Sequence, residues 1–153
     1  GTMSKAPDYR RDQAGADAIV AHFLGCDAAF LADLRARTSL ADYASKLQAR
    51  ALRFEAWSGG RLAGLLAVYH DATMGAAYIS NVSVLSEHCR QGIASHLLSA
   101  CLEEARKLAL REITRAVERA NQGAIALYRR HGFSPLPATE GSRMRMRLQF
   151  SQP

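Results

Sequence analysis

The sequence predicts an α+β fold, one mixed β-sheet with helices on both faces. Three observations carry it. Apolar residues recur at helical spacing through the first third of the chain. From residue 53 the period switches to that of strands. Beyond residue 84, strands alternate with two strongly helical segments.

The elements follow in order. Residues 4–12 are polar and hold a short first strand around Tyr9. Residues 16–37 are helical, with Ile19, Phe23, Phe30, Leu31 and Leu34 in helical register. Gly25, Cys26 and Asp27 break the run. Thr38 or Ser39 caps a further helix over 40–51. Residues 53–57 and 62–69 read as strands joined by the turn Ser58-Gly59-Gly60, a hairpin signal. Residues 70–75 read as a loop and 76–84 as a third strand. Its alternation puts Tyr78, Ser80, Val82 and Val84 on one face. Residues 91–110 form the strongest helix, its apolar stripe running from Ile93 to Ala109. A short strand over 112–117 follows, then a helix over 122–131 stopped by Gly132. Phe133 begins a strand interrupted by Pro135 and Pro137. Residues 143–150 alternate polar residues with Met144, Met146, Leu148 and Phe150 as a half-buried final strand.

Composition excludes several classes. The 153 residues suit one domain, and 48% hydrophobic content is enough for a core. No apolar run approaches the ~18 residues of a membrane span. Gly1-Thr2-Met3 reads as an expression-vector remnant before a native Met3, and no secretion signal follows it. Three cysteines without a CxxC pair argue against a disulfide framework or a zinc site, and fit a cytoplasmic protein. The net charge of +6 suits a polyanionic ligand. Its cations are scattered and lack interleaved aromatics, so neither nucleic acid nor membrane is expected as a partner.

Two constellations carry chemistry. The first spans residues 82–95, where a strand ends, a polar turn follows and a long helix begins among small residues. The first N–H groups of a helix have no internal partner, and the dipole adds positive potential there. Gly92 and Ala94 let a ligand approach the backbone, and Arg90 adds a charge, so the segment suits a phosphate. An ordinary strand-to-helix turn has the same pattern. The second spans residues 121–133. Asn121 caps a helix with Ala124, Leu127 and Tyr128 on one face. A capped amphipathic helix with a core tyrosine reads the same way.

Together the two segments resemble the GNAT superfamily of acetyl-CoA-dependent N-acetyltransferases. The family's cofactor loop, Q/R-x-x-G-x-G/A, falls on Cys89-Arg90-Gln91-Gly92-Ile93-Ala94. Its later motif, N-x-x-A-x-x-L-Y-x-x-x-G-F, is matched from Asn121 to Phe133 at every fixed position. The resemblance covers about residues 53–150. It implies a mostly antiparallel central sheet of six to seven strands and a single acetyltransferase domain over 4–150. Cys89 departs from the pattern, since Gln or Arg is usual there. It reads as a buried small apolar residue, with cofactor affinity the property it puts in question.

The resemblance also implies the chemistry. Acetyl-CoA would place its pyrophosphate on the loop from Cys89 to Ser95 and its pantetheine beside Val82, Ser83 and Val84, reaching Asn121 and Tyr128. The backbone N–H of Val82 would polarise the thioester carbonyl. An amine would attack directly in a ternary complex, and Tyr128 would serve the leaving thiolate as general acid. No metal is implied. The base is open: strand 76–84 has no carboxylate, and Ala116 stands where a Glu is common. Water or a backbone relay, His70, Glu118 and Glu87 are the candidates, His70 being the titratable choice. The acceptor side would draw on the first half of the chain and residues 136–143, with Asp27, Asp33, Asp42, Asp71 and Glu140 available to a cation. A small metabolite amine is the expected partner, and a homodimer is compatible. The alternatives are a protein N-acetyltransferase and a degenerate CoA-binding regulatory module.

Overall fold

The computed structural model of the chain describes residues 6–137 and 141–151. Residues 1–3, read above as a vector remnant, and Glu140 lie outside the described residues. The strands are β1 (Asp8–Arg11), β2 (Leu52–Ser58), β3 (Arg61–Asp71), β4 (Ala76–Val84), β5 (Glu112–Glu118), β6 (Ser134–Pro135) and β7 (Arg143–Gln149). The helices are α1 (Ala16–Leu24), α2 (Ala28–Arg37), α3 (Leu40–Arg50), α4 (Ile93–Lys107) and α5 (Gln122–Arg130). None is long and apolar enough to cross a membrane. The sheet has seven strands in the order β1-β2-β3-β4-β5-β7-β6. Every pairing is antiparallel except β4 with β5.

Two cores sandwich the sheet. On one face α4 and α5 bury Ile93, Leu97, Leu98, Ile125 and Tyr128 against Phe54, Leu66, Ile79 and Ile113. On the other, α1, α2 and α3 bury Ile19, Phe23, Leu34 and Leu47 against Leu62 and Leu65. Gly64 permits the close approach of α4. A Cβ there would stand 2.6 Å from Ile93 Cγ2 and 3.2 Å from Leu97 Cδ1.

A buried ion pair ties the α1–α3 layer to the sheet. Glu55, wholly buried, accepts from the backbone N–H of Ala14 (2.9 Å) and from Trp57 Nε1 (3.0 Å). Arg53 Nε lies 3.5 Å from the Glu55 carboxylate, and Arg53 Nη1 donates to the carbonyls of Leu47, Gln48 and Ala51 where α3 ends.

Three expectations shift. Strand β3 continues through His70 and Asp71, which pair with Ala77 and Ala76, so the connection is shorter than the loop read from sequence. Helix α4 starts at Ile93, because Gly92 has φ +78°, and ends at Lys107, which leaves Leu108 exposed beyond the stripe. The alternation of β4 breaks. Ala67 faces Asn81 while Val68 faces Ile79, so Ser80 is the extra residue of a bulge. Tyr78 and Ser80 are thereby separated from Val82 and Val84, which pack against the α4–α5 core.

Candidate active site

The parallel pairing of β4 and β5 is short. Residues 76–79 of β4 face 112–115 of β5, and the strands then part. The bulge at Ser80 lies where they separate. The N–H of Leu85 donates to the Ala63 carbonyl (2.8 Å), and Leu65 and Gly64 face Ser83 and Val84. Antiparallel neighbours alternate between bonded and non-bonded pairs. The amides of Asn81 and Ser83 therefore turn toward β3. Those of Val82 and Val84 turn into the gap.

A cleft of about 820 Å³ occupies the gap. Asn81, Val82, Ser83 and Val84 of β4 form one wall and residues 115–118 of β5 the other, with Ala94 of α4 and Asn121, Ala124 and Tyr128 at the α5 end. Asp27, Phe30, Asp33 and Arg37 of the α2 segment and Asp42, Tyr43 and Lys46 of α3 close the opposite end.

The helix start beside the cleft leaves backbone N–H groups uncapped that could meet an anion. Gly92 sits at the N-terminus of α4 in the left-handed region, as does Arg90 at φ +65°. No side chain caps the helix, and nothing lies within 4 Å of where a Gly92 Cβ would be. Arg90, Gln91 and Gly92 are exposed. Ile93 is a core residue, so only its backbone is free for a ligand. The Ser95 hydroxyl is engaged with His131 Nε2 (2.9 Å), whose pKa burial and the Arg130 charge lower. Cys89 is exposed, against the expectation of a buried residue, because it lies in the turn ahead of the helix. Its Sγ donates to the Leu85 carbonyl (3.5 Å).

At the α5 end, Asn121 accepts from the Ala124 N–H and fixes the start of the helix (3.0 Å). Tyr128 follows, 1% exposed, its ring edge-on to Phe133 at 5.3 Å between centroids. Arg115 Nε donates to the Tyr128 hydroxyl oxygen (3.0 Å), and Nη1 donates to the carbonyls of Ile79 (3.2 Å) and Ser80 (2.9 Å). Burial raises the Tyr128 pKa, and the Arg115 charge and hydrogen bond pull it down.

Behind β4 lies a polar network that sequence reasoning missed. His22 Nδ1–H donates to the Leu62 carbonyl (2.8 Å), which leaves Nε2 to accept from the Ser83 hydroxyl (2.8 Å). Asn81 Nδ2 donates to Ser83 Oγ (2.9 Å) and to the Leu65 carbonyl (3.1 Å). Desolvation, reinforced by the Arg61 charge, lowers the His22 pKa to about 4 despite the bond to Leu62, so the ring is neutral near pH 7.

The base candidates separate. His70 is exposed at the paired end of β4 and β5, opposite Ala77, in an apolar groove with Ala105 and Leu108. The structure does not bring it to the cleft, because β3 carries it past the point where the strands part. Glu87 is held by Arg61 in the exposed turn. Glu118 lines the cleft and accepts from Arg143 Nε (2.9 Å). Of the candidate acceptor acids, Asp33 faces Arg37 and Arg143, Asp27 caps α2, and Asp42 stands at the start of α3. Asp71 ends β3 at the far side of the sheet, where it accepts from Met74 N–H in the turn.

The sheet parts around a cleft, with an uncapped helix start on one side and a buried tyrosine on the other. The chain belongs to the acetyltransferase (GNAT) family, whose model matches residues 16–133. It resembles the ribosomal-protein-S18-alanine N-acetyltransferase of Escherichia coli, with 22% identity, 95% of this chain and 96% of that one covered, and a TM-score of 0.76. The PaiA N-acetyltransferase of Thermoplasma acidophilum in complex with coenzyme A is similar at 16% identity, with coverage of 94% and 99% and a TM-score of 0.75. A Bacillus subtilis acetyltransferase in complex with CoA matches at 17% identity, with coverage of 95% and 99% and a TM-score of 0.72. No curated protein sequence matches the chain significantly.

Proposed function

We propose that residues 4–150 form one catalytic domain that moves the acetyl group of acetyl-CoA to a primary amine. The observation that carries this is the convergence on one cleft of the Val82 and Val84 amides, the uncapped start of α4 and Tyr128. The pyrophosphate sits on the amides from Cys89 to Ser95, with Arg90 as the adjacent charge. The pantetheine lies along Val82, Ser83 and Val84. The Val82 N–H meets the thioester oxygen, where a donor to the developing oxyanion is worth ~3 kcal/mol.

The amine attacks the carbonyl carbon directly, its proton passing to water. The C–S bond breaks, and the sulfur takes the electron pair and the Tyr128 proton. A covalent route through Cys89 lacks support, since its thiol donates to a carbonyl and is not held by a base. Cys89→Ala is expected to retain activity.

The acceptor end offers Asp27 and Asp42 beside Phe30, Tyr43 and Tyr78 for a small amine, with Arg37, Lys46 and the Glu118–Arg143 pair in the same lining. A protein N-terminus is the second reading, because the Escherichia coli structure of the same fold is an N-acetyltransferase of a ribosomal protein's alanine. Calorimetric titration with CoA tests the cofactor assignment. Gly92→Glu places a carboxylate against the pyrophosphate and is expected to weaken binding at least ten-fold, about 1.4 kcal/mol. Gly92→Ala adds the backbone strain without the charge and is expected to bind more tightly than Gly92→Glu. Equal affinity in wild type and Gly92→Glu overturns the assignment.

A further inference from the structure

Arg115 stands where the sheet divides, on the last β5 residue paired with β4. Two of its nitrogens do different things. Nη1 satisfies the carbonyls of Ile79 and Ser80, where the bulge begins. Nε reaches the hydroxyl of Tyr128. A guanidinium has donors and no acceptor, and it stays charged. The Tyr128 oxygen must therefore accept from Arg115, so its own proton is not spent on this bond. The hydroxyl can therefore still donate to a second partner in the cleft, which Tyr128 lines.

We propose that Arg115 is a positioning residue for acetyl transfer, orienting the Tyr128 O–H toward the leaving sulfur and stabilising the phenolate left behind. The inference rests on the acetyltransferase reading of the cleft. As the C–S bond breaks, the electron pair goes to sulfur and the Tyr128 proton follows it. The phenolate remains paired with the guanidinium until water reprotonates it. Without that charge the anion would form in a site where Tyr128 is almost fully buried, which is costly. The other titratable groups acting on Tyr128 are Cys101 on α4 and Tyr78 on β4, and both act against the phenolate. Arg115 is the group that favours it.

Two readouts test this. Tyrosine labelled with ¹³C at Cζ, with Tyr128 assigned by difference from Tyr128→Phe, reports ionisation by NMR without any substrate. The Tyr128 midpoint is expected to rise by about one pH unit or more in Arg115→Gln, and to stay near the wild-type value in Arg115→Lys, which keeps the charge. In steady-state kinetics Arg115→Gln is expected to lower kcat about ten-fold or more with little change in acetyl-CoA KM. The same substitution made in Tyr128→Phe is expected to add no further loss, because the residue acts through the hydroxyl already removed. An unchanged Tyr128 midpoint in Arg115→Gln, or losses that multiply in the double variant, overturns the proposal and leaves the acetyltransferase reading intact. Full turnover in Tyr128→Phe removes the general acid itself, and the role of Arg115 with it.

Discussion

A phenol near pKa ~10 is a reluctant acid for a thiolate near ~8.5, a gap of about 2 kcal/mol. Burial widens it at Tyr128. In the proposed reaction the hydroxyl would be useful only while the sulfur carries charge, in the transition state. Tyr128→Phe keeps the ring against Phe133 and is expected to lower kcat about ten- to a thousand-fold with acetyl-CoA KM little changed, by steady-state kinetics. His22 has a different consequence. Its folded pKa, about 4, lies below the ordinary value of 6.5, so the unfolded chain binds the proton first as pH falls. Stability is therefore full above pH 6.5 and is lost on acidification toward pH 4. The expected loss between pH 7 and pH 5 is about 2 kcal/mol, checked by urea unfolding at each pH. His22→Gln should be less stable at pH 7 and should lose most of this dependence. Tyr128 was legible in sequence because it sits in a dense local motif. His22 was not, since its partner Ser83 lies 61 residues away. Arg115 read simply as a strand residue, because its partners are set by where two strands part.

At the scale of elements, the docking of α4 on β3 places the proposed anion cradle beside the end of β4. Gly64 sets that distance. Gly64→Ala would push against Ile93 and Leu97 and is expected to cost about 1–3 kcal/mol by denaturant unfolding, with weakened CoA affinity as α4 is displaced. The cradle has no polar side chain at its first loop position, where Cys89 is exposed. Cys89→Arg is expected to tighten CoA binding, by calorimetry, through a charge-assisted contact. Periodicity found these helices and strands because each buries one face. It placed Val82 and Val84 with Tyr78 and Ser80 because a single inserted residue flips every side chain after it. The bulge leaves no local signature: Ser80 is an ordinary strand residue until Asn81 pairs with Ala67.

At the scale of the whole molecule, one mixed sheet carries two apolar layers and, among the described residues, opens between its one parallel pair, β4 and β5. The layered α+β architecture was legible because helical and strand periods are segregated along the chain. The cleft was not, since it forms where β4 and β5 stop pairing, a property of two strands 28 residues apart at their closest ends. The proposed acceptor end resisted for a similar reason. Its acids Asp33 and Glu118 are joined to Arg143 across 110 and 25 residues, so no local cluster marked them. The central claim, acetyl transfer from acetyl-CoA to an amine in this cleft, is tested most directly by following thiol release from acetyl-CoA over a panel of small amines and N-terminal peptides. The predicted result is amine-dependent release by the wild type, with the acetyl group found on the amine by mass spectrometry and the rate reduced in Tyr128→Phe. Tight CoA binding with no amine raising release above the protein-free rate would contradict it and leave a CoA-binding regulatory module.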